Sequence, residues 1–128
     1  MPGTKPIATS SPPSRALSAR QFWEVMERWR VPDATALDLI EFPGKLGKEG
    51  KRPRFRFTTK QQRIASYLPE IEAALAGSGK DAAWLHRPIA AAPFSRRSPI
   101  DHMLAHGRDG MADVLNTLNR QAMRAALE

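Results

Sequence analysis

The sequence predicts a small all-α domain with a disordered N-terminal tail and one basic loop. Apolar residues recur at helical spacing from Phe22 to Ala122, and helix-start and helix-stop residues separate the apolar stretches. Only residues 54–57 alternate with the period of a strand, so we expect at most one short strand, inside the basic loop. The predicted regions are a tail (1–17), an N-terminal helical region (18–76) with the basic loop (45–58), and a C-terminal helical domain (77–128).

Composition excludes several classes of protein. A chain of 128 residues can form a hydrophobic core, and the absence of cysteine excludes disulfide scaffolds, cysteine-ligated zinc or iron–sulfur sites and thiol catalysis. No apolar run approaches the ~20 residues of a membrane helix, and no apolar segment of the secretory type follows the early basic residues. We therefore expect a cytoplasmic protein without a membrane partner, and the net charge of +7 favours an anionic one.

The tail and the first helix are expected to meet at Ser18. Residues 1–17 contain four prolines and five serines or threonines and little to bury, which predicts disorder. Ser18 and Gln21 have capping-box spacing, and Leu17 and Phe22 have the spacing of a hydrophobic staple. The helix should end at Pro32. Its buried face is predicted to be Phe22, Val25, Met26 and Trp29.

A second helix is predicted from Asp33 to about Phe42, ended by Pro43 and Gly44. Its inward-facing residues are expected to be Ala36, Leu37 and Ile40. The two helices could open a helix-turn-helix, but the next segment is glycine-rich, which argues against a recognition helix there.

Residues 45–63 carry eight basic side chains and one acid, so their net charge of +7 equals that of the whole chain. Glycines and a proline predict a flexible loop over 44–53, and aromatic rings alternate with cations over 54–57. Each cation could neutralise a phosphate. The alternative is a solvated loop that Phe55 and Phe57 anchor to the core. The candidate DNA contacts are Lys51, Arg52, Arg54, Arg56 and Lys60.

Helical spacing returns at Thr59, with Gln62 at capping-box spacing, and Pro69 predicts either a kink or two helices that meet there. A short helix is expected over 81–87. Ser98 followed by Pro99 and Asp101 predicts a strong helix start. That helix should end at Gly107, and a last helix should run from about Asp109, with Met111, Val114, Leu115, Leu118 and Ala122 on one face.

Patterns that would indicate catalysis or metal binding are incomplete. Residues 76–81 resemble a phosphate loop, but Ala74 stands where the first glycine is required and Asp81 where Ser or Thr is required. A helix end and a turn explain that segment better. His102 and His106 are spaced like zinc ligands on a helix, yet Met103 replaces the glutamate of the zincin pattern. We expect no enzymatic activity, no metal and no cofactor.

The C-terminal half carries a more specific signal. The ordered series is Trp84-Leu85-His86-Arg87-Pro88, Pro93-Phe94, Ser98-Pro99-Ile100-Asp101-His102-Met103-Leu104, Gly107, Val114-Leu115 and Leu118. Over 82–118 this spacing resembles the toxin-binding domain of the Xre/MbcA/ParS antitoxins. The resemblance implies neutralisation of a RES-type toxin, which consumes NAD or transfers ADP-ribose, by direct binding and active-site occlusion. It also implies a homodimer, with the NAD chemistry belonging to the toxin.

The resemblance gives a set of expected toxin contacts: Trp84, Arg87, Pro93, Phe94, Arg96, Arg97, Asp101 and Met103. Two interpretations stay open for the apolar members of the motif. Trp84, Leu85 and Leu104 could instead build the core, and Phe94 is either a core plug or an exposed anchor. The alternative function is a DNA-binding transcriptional regulator that contacts operator DNA through 45–63.

Overall fold

The computed structural model describes residues 17–127, which are helical and contain no strand, so the predicted all-α class is confirmed. The predicted disordered tail lies outside the described residues, except for Leu17. The helices are α1 (Ala19–Arg28), α2 (Asp33–Leu39), α3 (Thr59–Ala65), α4 (Tyr67–Gly77), α5 (Ala82–Leu85) and α6 (Pro99–Leu127), with a 3-10 turn at Lys48–Gly50.

Helix α1 begins as its sequence predicts. The Ser18 hydroxyl accepts the backbone N–H of Gln21 at 3.1 Å, and the Gln21 side-chain oxygen accepts the N–H of Ser18 at 2.9 Å. The four predicted core residues are buried. Trp23 is also buried, although it lies beside the predicted stripe, because it packs edge-on against Phe22. The helix ends at Arg28, four residues before Pro32.

The next helices differ from prediction in their bounds. Helix α2 ends at Leu39 rather than Phe42, because the chain turns at Glu41, whose φ is 57°. The capping box of α3 is made by Thr58 and Gln61, one residue earlier than predicted. Helices α3 and α4 meet at Ser66. Pro69 falls in the first turn of α4, where a missing N–H removes no helical hydrogen bond.

Helix α6 starts and breaks at the predicted residues. The Ser98 hydroxyl accepts the N–H of Asp101 at 3.1 Å. Gly107 has φ 60° and ψ −132°, torsions that strongly favour glycine, and the chain folds back there. The two halves lie so close that a Cβ on Gly110 would sit 2.7 Å from the His102 carbonyl oxygen.

One hydrophobic core joins the N-terminal and C-terminal regions across the predicted boundary at residue 76. Both halves of α6 contribute to it, and α6 packs mainly against α4, with further contacts to α2, α3 and α5. Phe94 enters it from the loop between α5 and α6. No helix within residues 17–127 combines the length and hydropathy needed to cross a membrane.

The strand expected within the basic loop does not form in the described chain. Phe55 and Phe57 are half-buried and Arg54 and Arg56 are exposed, so the predicted alternation of sides is present. However, no backbone hydrogen bond joins residues 52–57 to another segment of residues 17–127. Without a partner ladder, alternation of side chains alone does not make a strand.

Candidate interaction surfaces

The first candidate surface is the arginine loop, residues 86–98, which connects α5 to α6. Its aromatic residue, Phe94, is only 1% exposed. The Phe94 ring packs edge-on against Trp84, with centroids 6.3 Å apart, and against His102, at 5.1 Å. Phe94 is therefore the core plug of the two predicted alternatives, and it fixes the middle of the loop to the core.

The backbone of the arginine loop is tied across its base. The N–H of Ile89 donates to the Arg97 carbonyl at 3.1 Å, and the N–H of Arg96 donates to the Ile89 carbonyl at 2.7 Å. Ser95 and Arg96 have φ values of 51° and 75°. Residues other than glycine seldom adopt this region, and they keep it where the surrounding structure determines it. The tip of the loop is thus held in one unusual conformation.

Three arginines project from this fixed backbone. Arg87, Arg96 and Arg97 are exposed, and none of them forms an ion pair within the described part of the chain. Pro93 is half-buried and Asp101 is exposed in the first turn of α6. These five predicted contact residues are accessible, and they lie on the loop or directly after it.

The other three predicted toxin contacts require correction. Trp84, Phe94 and Met103 are 7%, 1% and 0% exposed, because their apolar side chains fill the core of this chain. Trp84 packs against Phe94, which anchors the loop, and all three side chains offer little surface to a partner. Leu104 is 37% exposed although the core was one interpretation for it.

The histidine pair beside the loop is arranged differently from a zinc site. His102 is buried, and its Nε2 lies 2.8 Å from Asp113 Oδ2 across the fold-back at Gly107. The His106 ring packs on His102 at a centroid distance of 4.5 Å. Residues 17–127 contain no group of three or more side chains placed to hold a metal ion.

The second candidate surface is the basic loop together with the start of α3, where two predicted DNA contacts, Arg52 and Lys60, are paired within the chain. The Arg52 guanidinium donates to both Asp33 oxygens at 3.1 Å, contacts Glu27 at 2.8 Å and lies 4.6 Å from the Trp23 ring centroid. Hydrogen bonds to Asp33 and then Glu27 raise the pKa of Arg52. Arg52 is therefore paired within the chain, and this pairing corrects its assignment as a candidate DNA contact.

Lys60 is likewise paired, with its Nζ 2.8 Å from Glu41 Oε1. Lys51, Arg54 and Arg56 remain exposed and without an ion pair among residues 17–127. The phenylalanines between them pack on the core: Phe57 meets Phe22 at 5.9 Å, and Phe55 meets Phe42 at 5.1 Å between ring centroids. The anchoring role of these two rings is confirmed.

The segment that resembles a phosphate loop ends one helix and starts the next. The Ser78 hydroxyl donates to the Ala74 carbonyl at 2.8 Å, and Gly79 has φ 71°. The Asp81 carboxylate accepts the N–H of Ala83 at 3.0 Å, which caps α5. Both polar side chains are used by the local fold, as the helix-end interpretation predicts.

A further cavity, of about 400 Å³, matches no pattern in the sequence. It is lined by Glu41, Lys60, Arg63, Ile64 and Arg108. Arg63 lies on α3 and Arg108 follows the break in α6. Their separation along the chain is too large for any local spacing rule to connect them.

Comparison with known proteins adds no relative. No family model matches the chain, and neither curated proteins nor solved structures give a match.

Proposed function

We propose that this chain is an antitoxin of the Xre/MbcA/ParS kind, which neutralises a RES-type toxin by direct binding and occlusion of its active site. The observation that carries this proposal is the fixed display of Arg96 and Arg97. They stand on a loop whose centre is plugged into the core by Phe94 and whose base is closed by two backbone hydrogen bonds. The ordered motif over 82–118 supports the same assignment.

A fixed arginine-bearing loop suits protein recognition for two physical reasons. Arginine is over-represented among the residues that dominate interface energetics. A loop already held in one conformation loses little conformational entropy when it binds. A toxin site that accepts NAD already contains groups that bind phosphate, so Arg96 and Arg97 would contact acidic groups around its entrance rather than enter it.

The contact set proposed from this geometry is smaller than the motif. It comprises Arg87, Pro93, Arg96, Arg97 and Asp101. Leu104 is added because it is exposed and lies three residues after Asp101 on α6. Trp84 and Phe94 act indirectly, by holding the loop, and Met103 is a core residue.

The experiment measures toxin binding by the double charge reversal Arg96→Glu with Arg97→Glu. We expect binding at least tenfold weaker, a loss of ~1.4 kcal/mol. Circular dichroism and melting temperature should change little, because substitutions of this kind on a surface are usually within about 0.5 kcal/mol. The toxin to use is a RES-domain protein encoded beside this chain, and its presence there is the first check.

A matched control carries the same change in net charge elsewhere. Lys45→Glu with Lys48→Glu alters two exposed lysines of the basic loop and should leave toxin binding unchanged. An equal loss in both double variants would indicate attraction by net charge alone. Wild-type binding by the Arg96 and Arg97 variant would remove the arginine loop from the interface and point to residues 109–127.

DNA binding is the second candidate function, and it is favoured by Lys51, Arg54 and Arg56, which are exposed and form no ion pair with any other described residue. Because Arg52 and Lys60 are paired, three of the five candidate DNA contacts are left to bind phosphate. These three should contribute about −2.7 to the slope of log affinity against log salt concentration. Replacing the three residues by serine should flatten that slope and leave toxin binding unchanged. Absence of DNA binding at ~50 mM salt, where phosphate contacts are strong, would reject this function.

A further inference from the structure

The cavity between α3 and the break in α6 brings together three cations and one acid. Lys60, Arg63 and Arg108 line it with Glu41, and Ile64, which is 2% exposed, forms an apolar wall. Neither Arg63 nor Arg108 forms a side-chain hydrogen bond or an ion pair within residues 17–127, so two guanidinium groups retain their donors. The cavity carries a formal excess of two positive charges.

These residues lie close together because of where the backbone places them. Lys60 and Arg63 are three residues apart on α3, so they share a face of that helix. Glu41 sits at a turn with φ 57°, where its N–H donates to the Asp38 carbonyl at 3.0 Å. A Cβ on Gly107 would lie 3.3 Å from Glu41 Oε2, so the carboxylate reaches the break that directly precedes Arg108.

We propose that this cavity binds a diphosphate group of a small molecule, independently of the proposed antitoxin function. Each guanidinium can donate two parallel hydrogen bonds to one phosphoryl group, and two arginines on separate elements suit two adjacent phosphoryl groups. Glu41 repels anions, but Lys60 holds one of its oxygens at 2.8 Å. A ligand with several negative charges gains most from the two unpaired arginines and the net positive charge of the cavity, which favours a diphosphate over a single phosphate or sulfate.

A nucleic-acid backbone also carries phosphates, so the experiment must distinguish a small-molecule diphosphate from a nucleic acid. Its phosphates are singly charged diesters, separated by sugars, so adjacent phosphoryl groups are absent. A short single-stranded oligonucleotide should therefore compete poorly with pyrophosphate for this cavity.

The experiment titrates the full chain with pyrophosphate at constant ionic strength, followed by calorimetry and ³¹P NMR. We expect saturable binding with one site per chain, tighter than binding of inorganic phosphate or sulfate. Arg63→Gln and Arg108→Gln should each weaken it at least tenfold. Glu41→Gln should tighten it, because the one repelling charge is removed. Arg124→Gln, an exposed arginine far along α6, is the control and should bind like the wild type.

Several outcomes would overturn the proposal. Wild-type affinity in both Arg63→Gln and Arg108→Gln would show that these arginines form no site. An equal loss of affinity in Arg124→Gln would show that net charge alone attracts pyrophosphate. Displacement of pyrophosphate by an equimolar oligonucleotide would make nucleic acid the occupant. Circular dichroism of each variant excludes unfolding as the cause of a loss.

Discussion

The basic loop and the arginine loop are both cationic segments with aromatic residues, yet they are fixed to the protein in opposite ways. In the arginine loop the backbone is fixed: Phe94 is fully buried and two hydrogen bonds close the base. Its arginine side chains remain free of ion pairs among residues 17–127. In the basic loop a cation is fixed instead, because Asp33 and Glu27 hold Arg52. Residues 52–57 have no backbone partner in the described part of the chain.

This difference shows which part of a charged loop is available to a partner. Arg52 and Arg96 look equivalent in the sequence, but Arg52 donates to Asp33 and Glu27, whereas Arg96 has no side-chain partner among residues 17–127. Counting cations therefore overestimates the DNA-binding capacity of the basic loop. A fixed backbone with unpaired side chains is the arrangement better suited to binding.

The largest expected effect comes from removing the plug of the arginine loop. Phe94→Ala deletes a buried ring in contact with Trp84 and His102, so we expect a loss of about 3–5 kcal/mol in the free energy of unfolding. Urea denaturation measures it. Phe57→Ala, a half-buried ring of the basic loop, is the comparison and should lose less than half as much. Equal losses would mean that the two loops are anchored to the same depth.

A smaller effect is expected from Arg52. Arg52→Ser removes its pairs with Asp33 and Glu27 and its packing on Trp23, and we expect a loss of about 1 kcal/mol, since the side chain is one-third exposed and partly screened by solvent. Folding raises the pKa of Arg52, so the stabilisation that Arg52 provides is lost only at alkaline pH, where arginine loses its proton. The free energy that Arg52 adds to folding should therefore not change between pH 6 and 9.

Thermal unfolding at low and high salt tests this assignment of Arg52. The loss caused by Arg52→Ser should shrink as salt rises, because the ion pairs are partly exposed. Arg96→Ser, with no ion pair to lose within the described chain, should leave the melting temperature nearly unchanged. A larger fall in melting temperature for Arg96→Ser than for Arg52→Ser would mean that Arg96, and not Arg52, stabilises the fold.

The smallest effect concerns the left-handed tip of the arginine loop. Ser95→Gly places glycine at φ 51°, a torsion it adopts without steric cost, and should stabilise the fold by about 0.5 kcal/mol. Ser66→Gly has the opposite expectation, because Ser66 has φ −62° and its hydroxyl donates to the Arg63 carbonyl. Differential scanning calorimetry compares the two. A destabilised Ser95→Gly protein would mean that serine is not strained there.

Local signals predicted the starts of α1 and α6 and the break in α6, whereas they carry no information on pairs that are distant along the chain. Ser18, Ser98 and Gly107 act where the sequence places them. The start of α3 shifted by one residue because Thr58 with Gln61 and Thr59 with Gln62 fit a capping box equally well. The pairing of Arg52 with Asp33 crosses 19 residues, and helical periodicity carries no information over that distance.

The binding motif was harder to interpret than the caps for another physical reason. Large apolar residues such as Trp84, Phe94 and Met103 suit a protein interface and a core equally well. Their sequence context does not tell which surface they face, because burial depends on what the rest of the chain places over them. The exposed arginines beside them were identifiable, since charged side chains are seldom buried without a partner.

The break at Gly107 decides how the length of α6 is used. With helical torsions at Gly107, the 29 residues of α6 would form one straight rod roughly 44 Å long. Met111, Val114 and Leu118 would then leave the core in which they are buried. Because the chain turns at Gly107, a single continuous segment instead supplies two helical faces to the same core.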